Sequence, residues 1–433
     1  MCFLLLPAFL LPWKVFRMFP HCTRLPALLL LAAACVAARA ADWPQWRGPH
    51  RDGHSAETGL LKQWPKDGPP LVWKATKLGD GYASVSVAGG RVFTMGDRKA
   101  ANRPKKEQYV IALDGRTGKE LWAARVGEPW GDGGPRCTPT VDGGLVYALG
   151  PHGDLVCLEA GTGMERWRKN LPKDFAGKMM SGWGYSESPL VDGDQLVCTP
   201  GGKDATLVAL NKKTGATIWR ARVPEGDGAA YSSVIPANVG GKQEYIQFLG
   251  RGVVGVAAKD GAFLWRYDKP ANGTANCSTP VYHDGAVFAA SAYGTGGGLA
   301  RLGRDGDATQ AREAYFTKHM QNHHGGMVLV DGYLYGSDEG QLCCLDFKTG
   351  KVMWEDHHPG KGSVIYADGR LYYRNEGGPI VLVEANPHKY VEHGRFDQPA
   401  RSAASAWPYP AVANGKLYIR DGDVLLCFDV KQH

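Results

Sequence analysis

Eight residues spread through the chain carry side chains able to stack on, hydrogen-bond to or ligate a small molecule. They are Tyr82, Arg136, Glu187, Tyr231, Asn276, the pair His323 and His324, and Trp407. The segments leading to them add Trp130, Trp183, Tyr185 and His319. A polar and aromatic set of this kind suits a site that stacks and hydrogen-bonds a ligand. The same composition also suits a channel mouth filled with water. His319, His323 and His324 are candidate ligands for a transition metal, since imidazole is a common protein donor. Adjacent residues of a strand point to opposite faces, so at most one of His323 and His324 is expected to meet His319 or Glu187. Hydrolase and nucleotidase signals are missing: the chain has no Gly-x-Ser-x-Gly, no His-Glu-x-x-His and no Gly-x4-Gly-Lys-Ser/Thr.

The elements that must hold these residues are internal repeats. Leu113-Asp114-Gly115-Arg116-Thr117-Gly118-Lys119-Glu120-Leu121-Trp122 returns with its glycine and tryptophan at Gly163/Trp167, Gly215/Trp219 and Gly350/Trp354, with a weaker copy ending at Trp265. Trp122 and Trp167 are 45 residues apart, Trp219 and Trp265 are 46 apart, and Trp265 and Trp354 are 89 apart. A period near 45 is the signature of a propeller blade. Asp-x-x-Thr-Gly supplies a tight turn with a positive-φ glycine, and the tryptophan that follows falls on a strand facing the next repeat. A second motif keeps the same period: an apolar strand, a glycine turn and another apolar strand, as in Thr140-Val141-Asp142-Gly143-Gly144-Leu145-Val146-Tyr147. It recurs around Gly90, Gly193, Gly241, Gly285, Gly332, Gly369 and Gly415, giving eight hairpins. The last repeat stops without its fourth strand, and an orphan strand, Leu71-Val72-Trp73-Lys74, precedes the first. Pairing the two closes a ring and removes exposed strand edges. The chain is therefore expected to be all-β, an eight-bladed β-propeller with four-stranded blades, its ring closed by strand 71–74 completing the last blade. The first strand of each propeller blade lines the central channel, and the eight candidate residues sit where those strands begin.

The segment 112–122 resembles the tryptophan-docking repeat of quinoprotein dehydrogenases, which bind pyrroloquinoline quinone (PQQ), and of the non-catalytic outer-membrane assembly subunit of Gram-negative bacteria. Asp42-Trp43-Pro44-Gln45-Trp46-Arg47-Gly48-Pro49 and Asn322-His323-His324-Gly325-Gly326 resemble secreted PQQ-like repeat proteins. The resemblance covers 71–430 and implies the propeller type rather than catalysis. In the dehydrogenases, Glu and Asn side chains near the channel hold calcium and an Asp serves as base. Carried over, this implies PQQ in the funnel and calcium at Glu187 and Asn276, both hard oxygen donors. The chain departs from the pattern where an Asp is wanted, offering Asn322-His323-His324, and it has no Cys-x-x-Cys-His for attached haem. The function expected is thus a binding or scaffold module that holds a protein, glycan or small ligand at the channel mouth or rim. The alternative is a PQQ- and calcium-dependent oxidoreductase acting on alcohols or sugars.

Residues 1–40 read as a secretory signal peptide, with Arg24 before the apolar run 25–34 and small residues around a cleavage point ahead of Ala41; Met18 serves equally well as the start. Cys35 follows a poor match to a lipoprotein cleavage box. Residues 41–70 form an N-terminal arm and 71–433 the propeller. The presequence holds four of the 50 basic residues and no acid, so the rest of the chain carries +3 against a total of +7. Nothing in that balance argues for nucleic acid. No apolar run after the presequence is long enough for a membrane-spanning helix. The expected setting is periplasmic or secreted, as a monomer. Glycine, at 58 of 433 residues, is about twice its usual ~7% share and speaks against a helical bundle. Seven cysteines remain after the presequence, an odd number that excludes a complete disulfide framework. Cys157, Cys344 and Cys427 fall at the repeat position that holds Ala112 and Ala209, as small core residues, and strand geometry argues against a Cys343–Cys344 bridge.

Overall fold

A computed structural model describes residues 42–99, 103–306 and 308–433. The predicted signal peptide and Cys35 lie outside the described residues. The strands form eight sheets, each built on antiparallel neighbours that follow chain order except for the strands His54–Ser55 and Leu71–Ala75. Blades 1 to 7 occupy 86–127, 140–170, 190–221, 235–267, 281–317, 327–356 and 362–396, and blade 8 occupies 411–429. Blade 8 takes its outer strand from Leu71–Ala75, which pairs antiparallel with Val424–Asp429. The fold is an eight-bladed propeller closed by the strand that precedes the first blade. No helix among the described residues is long and apolar enough to cross a membrane.

Each inner hairpin closes through a two-residue turn that contains one of the predicted glycines, as its second residue except in blade 3, where Gly193 comes first; in blade 2 both Gly143 and Gly144 adopt positive φ. The middle strands are apolar on both faces because a blade covers each side. Leu155, Val156, Cys157 and Leu158 are all fully buried.

The outer-strand tryptophans lock neighbouring blades together. The indole N–H of Trp73 donates to Gly115 O at 3.0 Å, that of Trp122 to Ala160 O at 3.1 Å, and that of Trp167 to Lys212 O at 3.0 Å. The same rings lie flat on the next blade's turn glycine. A Cβ on Gly118 would come within 2.5 Å of Trp73, and Gly118 also has φ +70°. Opposite each tryptophan on the third strand sits a small residue: Ala112, Cys157, Ala209, Gly255, Cys344 or Cys427. All seven described cysteines are free thiols.

Three blades depart from the tryptophan pattern. In blade 4 the Trp265 indole N–H donates to Glu244 Oε2 of its own blade at 2.7 Å. Blade 5 places Tyr315 opposite Leu299, and its hydroxyl donates to Phe347 O at 2.8 Å in place of an indole. Blade 7 has Gly394 at this position, and the arm residue Trp64 packs over it, with its ring edge-on to Tyr372 and Phe396.

The arm does more than lead into the ring. Trp43 bridges Val87 of blade 1, and Pro44 O accepts the Val141 amide of blade 2 at 2.8 Å. The guanidinium of Arg51 donates to Ser188 O and Pro189 O, at the entry to blade 3. Trp46 donates to Thr279 Oγ1 ahead of blade 5, and Arg47 to Met327 O of blade 6. His54–Ser55 adds a fifth, parallel strand to blade 7, and Ser55 Oγ donates to Val412 O of blade 8. A segment this short reaches the innermost strands of seven blades only by lying on the axis. Residues 42–55 therefore fill the centre of the ring.

Candidate functional site

A cavity of about 320 Å³ opens where the first strands begin. Seven of the predicted residues line it: Tyr82, Arg136, Trp183, Tyr231, His323, His324 and Trp407. Trp46 of the arm, Ser186, Ser233, Cys277, Tyr293 and Tyr409 line it as well. Because the arm fills the axis, Trp46, edge-on to Tyr409 at 4.4 Å, closes the cavity from inside.

Glu187 and Asn276 do not line it. The backbone entering each blade is extended, so residues alternate between the cavity and the blade interior. Ser186 faces the cavity, which turns Glu187 inward; Ala275 and Cys277 face it, which turns Asn276 inward. The Glu187 carboxylate accepts from Thr199 N at 2.7 Å, Thr199 Oγ1 at 3.0 Å and Gln247 Nε2 at 3.3 Å. Asn276 donates to Leu249 O at 2.9 Å and accepts from Asn272 N at 3.0 Å. The expected calcium pair is thus occupied in holding blades 3 and 5. Burial pushes the Glu187 carboxyl up to about 7.

Other placements also differ from expectation. His323 and His324 both line the cavity, with ring centroids 4.6 Å apart. They sit in a bend ahead of Met327–Val330, so strand alternation does not separate them. His319 turns away from the pair and meets Glu355 and Asp338 instead. Tyr185 is buried, its hydroxyl donating to Pro200 O. Trp130 packs edge-on to His152 and is not part of the lining.

Rings form most of the wall. Tyr82 lies 4.5 Å from Trp407, Trp407 lies 4.9 Å from His324, and Trp183 lies 5.8 Å from Tyr231. Arg136 sits over Tyr82 and is held by Asp132 and Trp183 O. Behind the wall, Lys361 Nζ lies 3.1 Å from His323 Nδ1 and 3.3 Å from Glu376 Oε2, and Glu376 accepts the Trp407 indole N–H. An ammonium has no lone pair, so His323 Nδ1 accepts from Lys361 and Nε2 carries the proton, donating to Tyr293 Oη at 2.8 Å. Burial first, then the Lys361 charge, holds His323 down at about 4. His324 is also held well below the ordinary imidazole value, by burial first and then by His323. Burial raises the phenols of Tyr82, Tyr231 and Tyr293, and pushes the Cys277 thiol up to about 12. At neutral pH the lining is therefore uncharged apart from Arg136, and it contains no carboxylate.

The sequence profile described as outer membrane protein assembly factor BamB matches residues 106–356, more than half of the chain. The chain belongs to that family. A BamB of Burkholderia pseudomallei is 24% identical over 261 residues, covering 58% of this chain and 62% of the relative, so the chain spans less than two thirds of its length. A BamB of Shewanella oneidensis is 23% identical over 278 residues, covering 61% of this chain and 67% of its own. The quinoprotein alcohol dehydrogenase PedH of Pseudomonas putida is 26% identical over 266 residues, which is 59% of this chain and 40% of that enzyme. Among solved structures, BamB from Moraxella catarrhalis superposes with a TM-score of 0.58 at 16% identity, over 84% of this chain and 98% of its own. Quinohemoprotein alcohol dehydrogenase from Comamonas testosteroni gives 0.65 at 13% identity, over 90% and 81%. The chain is a PQQ-like propeller protein related to both groups; at these identities the solved structures speak to the fold alone.

Proposed function

We propose that the chain is a periplasmic or secreted binding propeller that holds an uncharged ring, a sugar of a glycan in the first place, in the mouth cavity. The observation that carries this reading is the lining itself: tyrosines and tryptophans from several blades, closed from inside by Trp46, with neutral imidazoles and hydroxyls between them. Flat aromatic faces stack on the apolar face of a sugar ring, and Ser186, Ser233 and Arg136 supply directional hydrogen bonding around it. Membership of a family described as an assembly factor supports a partner-binding role in the cell envelope over turnover of a substrate.

Likeness to quinoprotein alcohol dehydrogenases favours the alternative reading, PQQ with calcium. The residues do not fit it. Calcium takes six to eight hard oxygen ligands, yet no carboxylate lines the cavity, and Glu187 and Asn276 point into the blades.

The test is calorimetric titration of the chain lacking residues 1–40 with neutral oligosaccharides, and in parallel with PQQ with and without calcium. The expected result is saturable oligosaccharide binding that weakens at least ~10-fold, about 1.4 kcal/mol, in Trp407→Ala. Calcium-dependent PQQ binding, or oligosaccharide binding indifferent to Trp407→Ala and Trp183→Ala, would overturn the reading.

A further inference from the structure

Outside the cavity, blade 6 gathers a second group of donors. His319 lies in the segment that joins blade 5 to blade 6, Asp338 ends the strand Tyr333–Asp338, and Glu355 lies in Val352–Asp356. One ligand atom from each falls within 4.8 Å of the other two. His319 Nδ1 is 2.7 Å from Glu355 Oε1 and 3.7 Å from Asp338 Oδ2.

Two further observations point to a cation here. The Asp338 side chain is only 6% exposed; its Oδ1 accepts the Gln321 amide at 2.8 Å, the Met320 amide also bears on the carboxylate, and Oδ2 lies 3.7 Å from His319 Nδ1. Among the described residues, no lysine or arginine pairs with Asp338 or Glu355. Two neighbouring carboxylates, one of them buried, with a single imidazole and no lysine or arginine beside them, form an arrangement that a bound cation stabilises.

We propose that His319 Nδ1, Asp338 Oδ2 and Glu355 Oε1 bind a divalent transition-metal ion, zinc by the chemistry of the donors. One imidazole and two carboxylates suit zinc, which takes four ligands at about 2.0–2.2 Å and so spaces them roughly 3.3 Å apart. The present separations of 2.7 and 3.7 Å bracket that value, so small side-chain rotations complete the site. Calcium would need about twice as many oxygens. The His319 side chain is 46% exposed, which leaves an entry path and a fourth position for water. Buried Cys343 is the cross-strand partner of Glu355. Bound here, the ion ties the segment carrying His323 and His324 to two strands of blade 6, and so fixes one wall of the mouth cavity.

The experiment is calorimetric titration of the chelator-treated chain with zinc chloride, with intrinsic tryptophan fluorescence confirming the fold of each variant. The wild type should bind one equivalent with a Kd in the micromolar range or tighter. His319→Ala and Glu355→Gln should each weaken binding ~100-fold or more. His358→Ala serves as control, because exposed His358 beside Asp356 is the obvious adventitious zinc ligand nearby. Cobalt in place of zinc should give a visible band of four-coordinate geometry that His319→Ala abolishes. Absence of binding, or binding that survives His319→Ala and falls in His358→Ala, would overturn the proposal.

Discussion

Raising the pH from about 5 to about 8 should destabilise the folded chain, and Glu187→Gln should remove a defined part of that loss. Glu187 is fully enclosed in blade 3, accepting hydrogen bonds from Thr199 and Gln247, and burial raises its carboxyl from 4.5 to about 7. A carboxyl raised on folding holds its proton in the native state after the unfolded chain has lost it. The unfolded state then binds fewer protons, so stability falls as pH rises from 4.5 to about 7 and levels off above that. At ~1.4 kcal/mol for each pH unit between the two values, the full loss is about 3 kcal/mol. With an unfolding entropy near 2.1 cal/mol/K per residue, that corresponds to a Tm drop of about 4 °C for a chain of this size.

Glutamine keeps an oxygen for the Thr199 amide and an amide to donate to the Thr199 hydroxyl; it loses the bond from Gln247 Nε2, a cost independent of pH, and removes the titration. Asp97 and Asp227 are also raised by burial and slope in the same direction, so the quantity to read is the difference between wild type and variant. Urea unfolding at pH steps across this range measures it. Parallel curves for the two proteins would refute the argument. So would calcium stabilising the wild type and not Glu187→Gln, because that would make Glu187 an ion ligand after all.

Other outcomes follow from the same geometry. Trp219→Ala should cost roughly 3–5 kcal/mol in denaturant unfolding, since it removes a buried indole together with its bond to Ala258 O. Gly261→Ala should weaken the same joint from the other side: its Cβ would lie 2.5 Å from Trp219, at φ +74°. Arg51→Ala leaves the buried Ser188 and Pro189 carbonyls without their donor. It should cost about 2–3 kcal/mol and open the arm to limited proteolysis within residues 42–55. Thiol titration of the native chain at neutral pH should find at most one accessible group, Cys277 at the cavity wall, and all seven described cysteines after unfolding. Fast modification of several thiols in the native state would contradict the closed blades that bury them.

The blades were legible in the sequence because each carries its own instructions. A turn glycine, the tryptophan that lies on it and the small residue opposite are close in sequence or one period apart, so the pattern repeats and can be read. It failed where another residue took over the task. Tyr315 replaces the indole in blade 5, which is why the spacing from Trp265 to Trp354 spans two blades. Trp64 reaches over Gly394 from more than 300 residues away, with no local signal to announce it.

The mouth was legible by position and misread by parity. Strand starts point at the axis, and seven of the nominated residues meet there. Alternation along extended backbone then decides which neighbour faces the cavity. Applied at Ser186/Glu187 and Ala275/Asn276, it assigns both oxygen donors to the blade interior; applied at His323/His324, it fails because that segment bends. The arm was invisible for a different reason. Its contacts, such as Trp46 to Thr279 and Arg51 to Ser188, join distant stretches with no shared period. Yet the arm decides what the cavity can be. With residues 42–55 on the axis and Trp46 on the inner side, the mouth cavity is a closed-backed cup whose described lining is mostly aromatic, with Arg136 as its charged side chain.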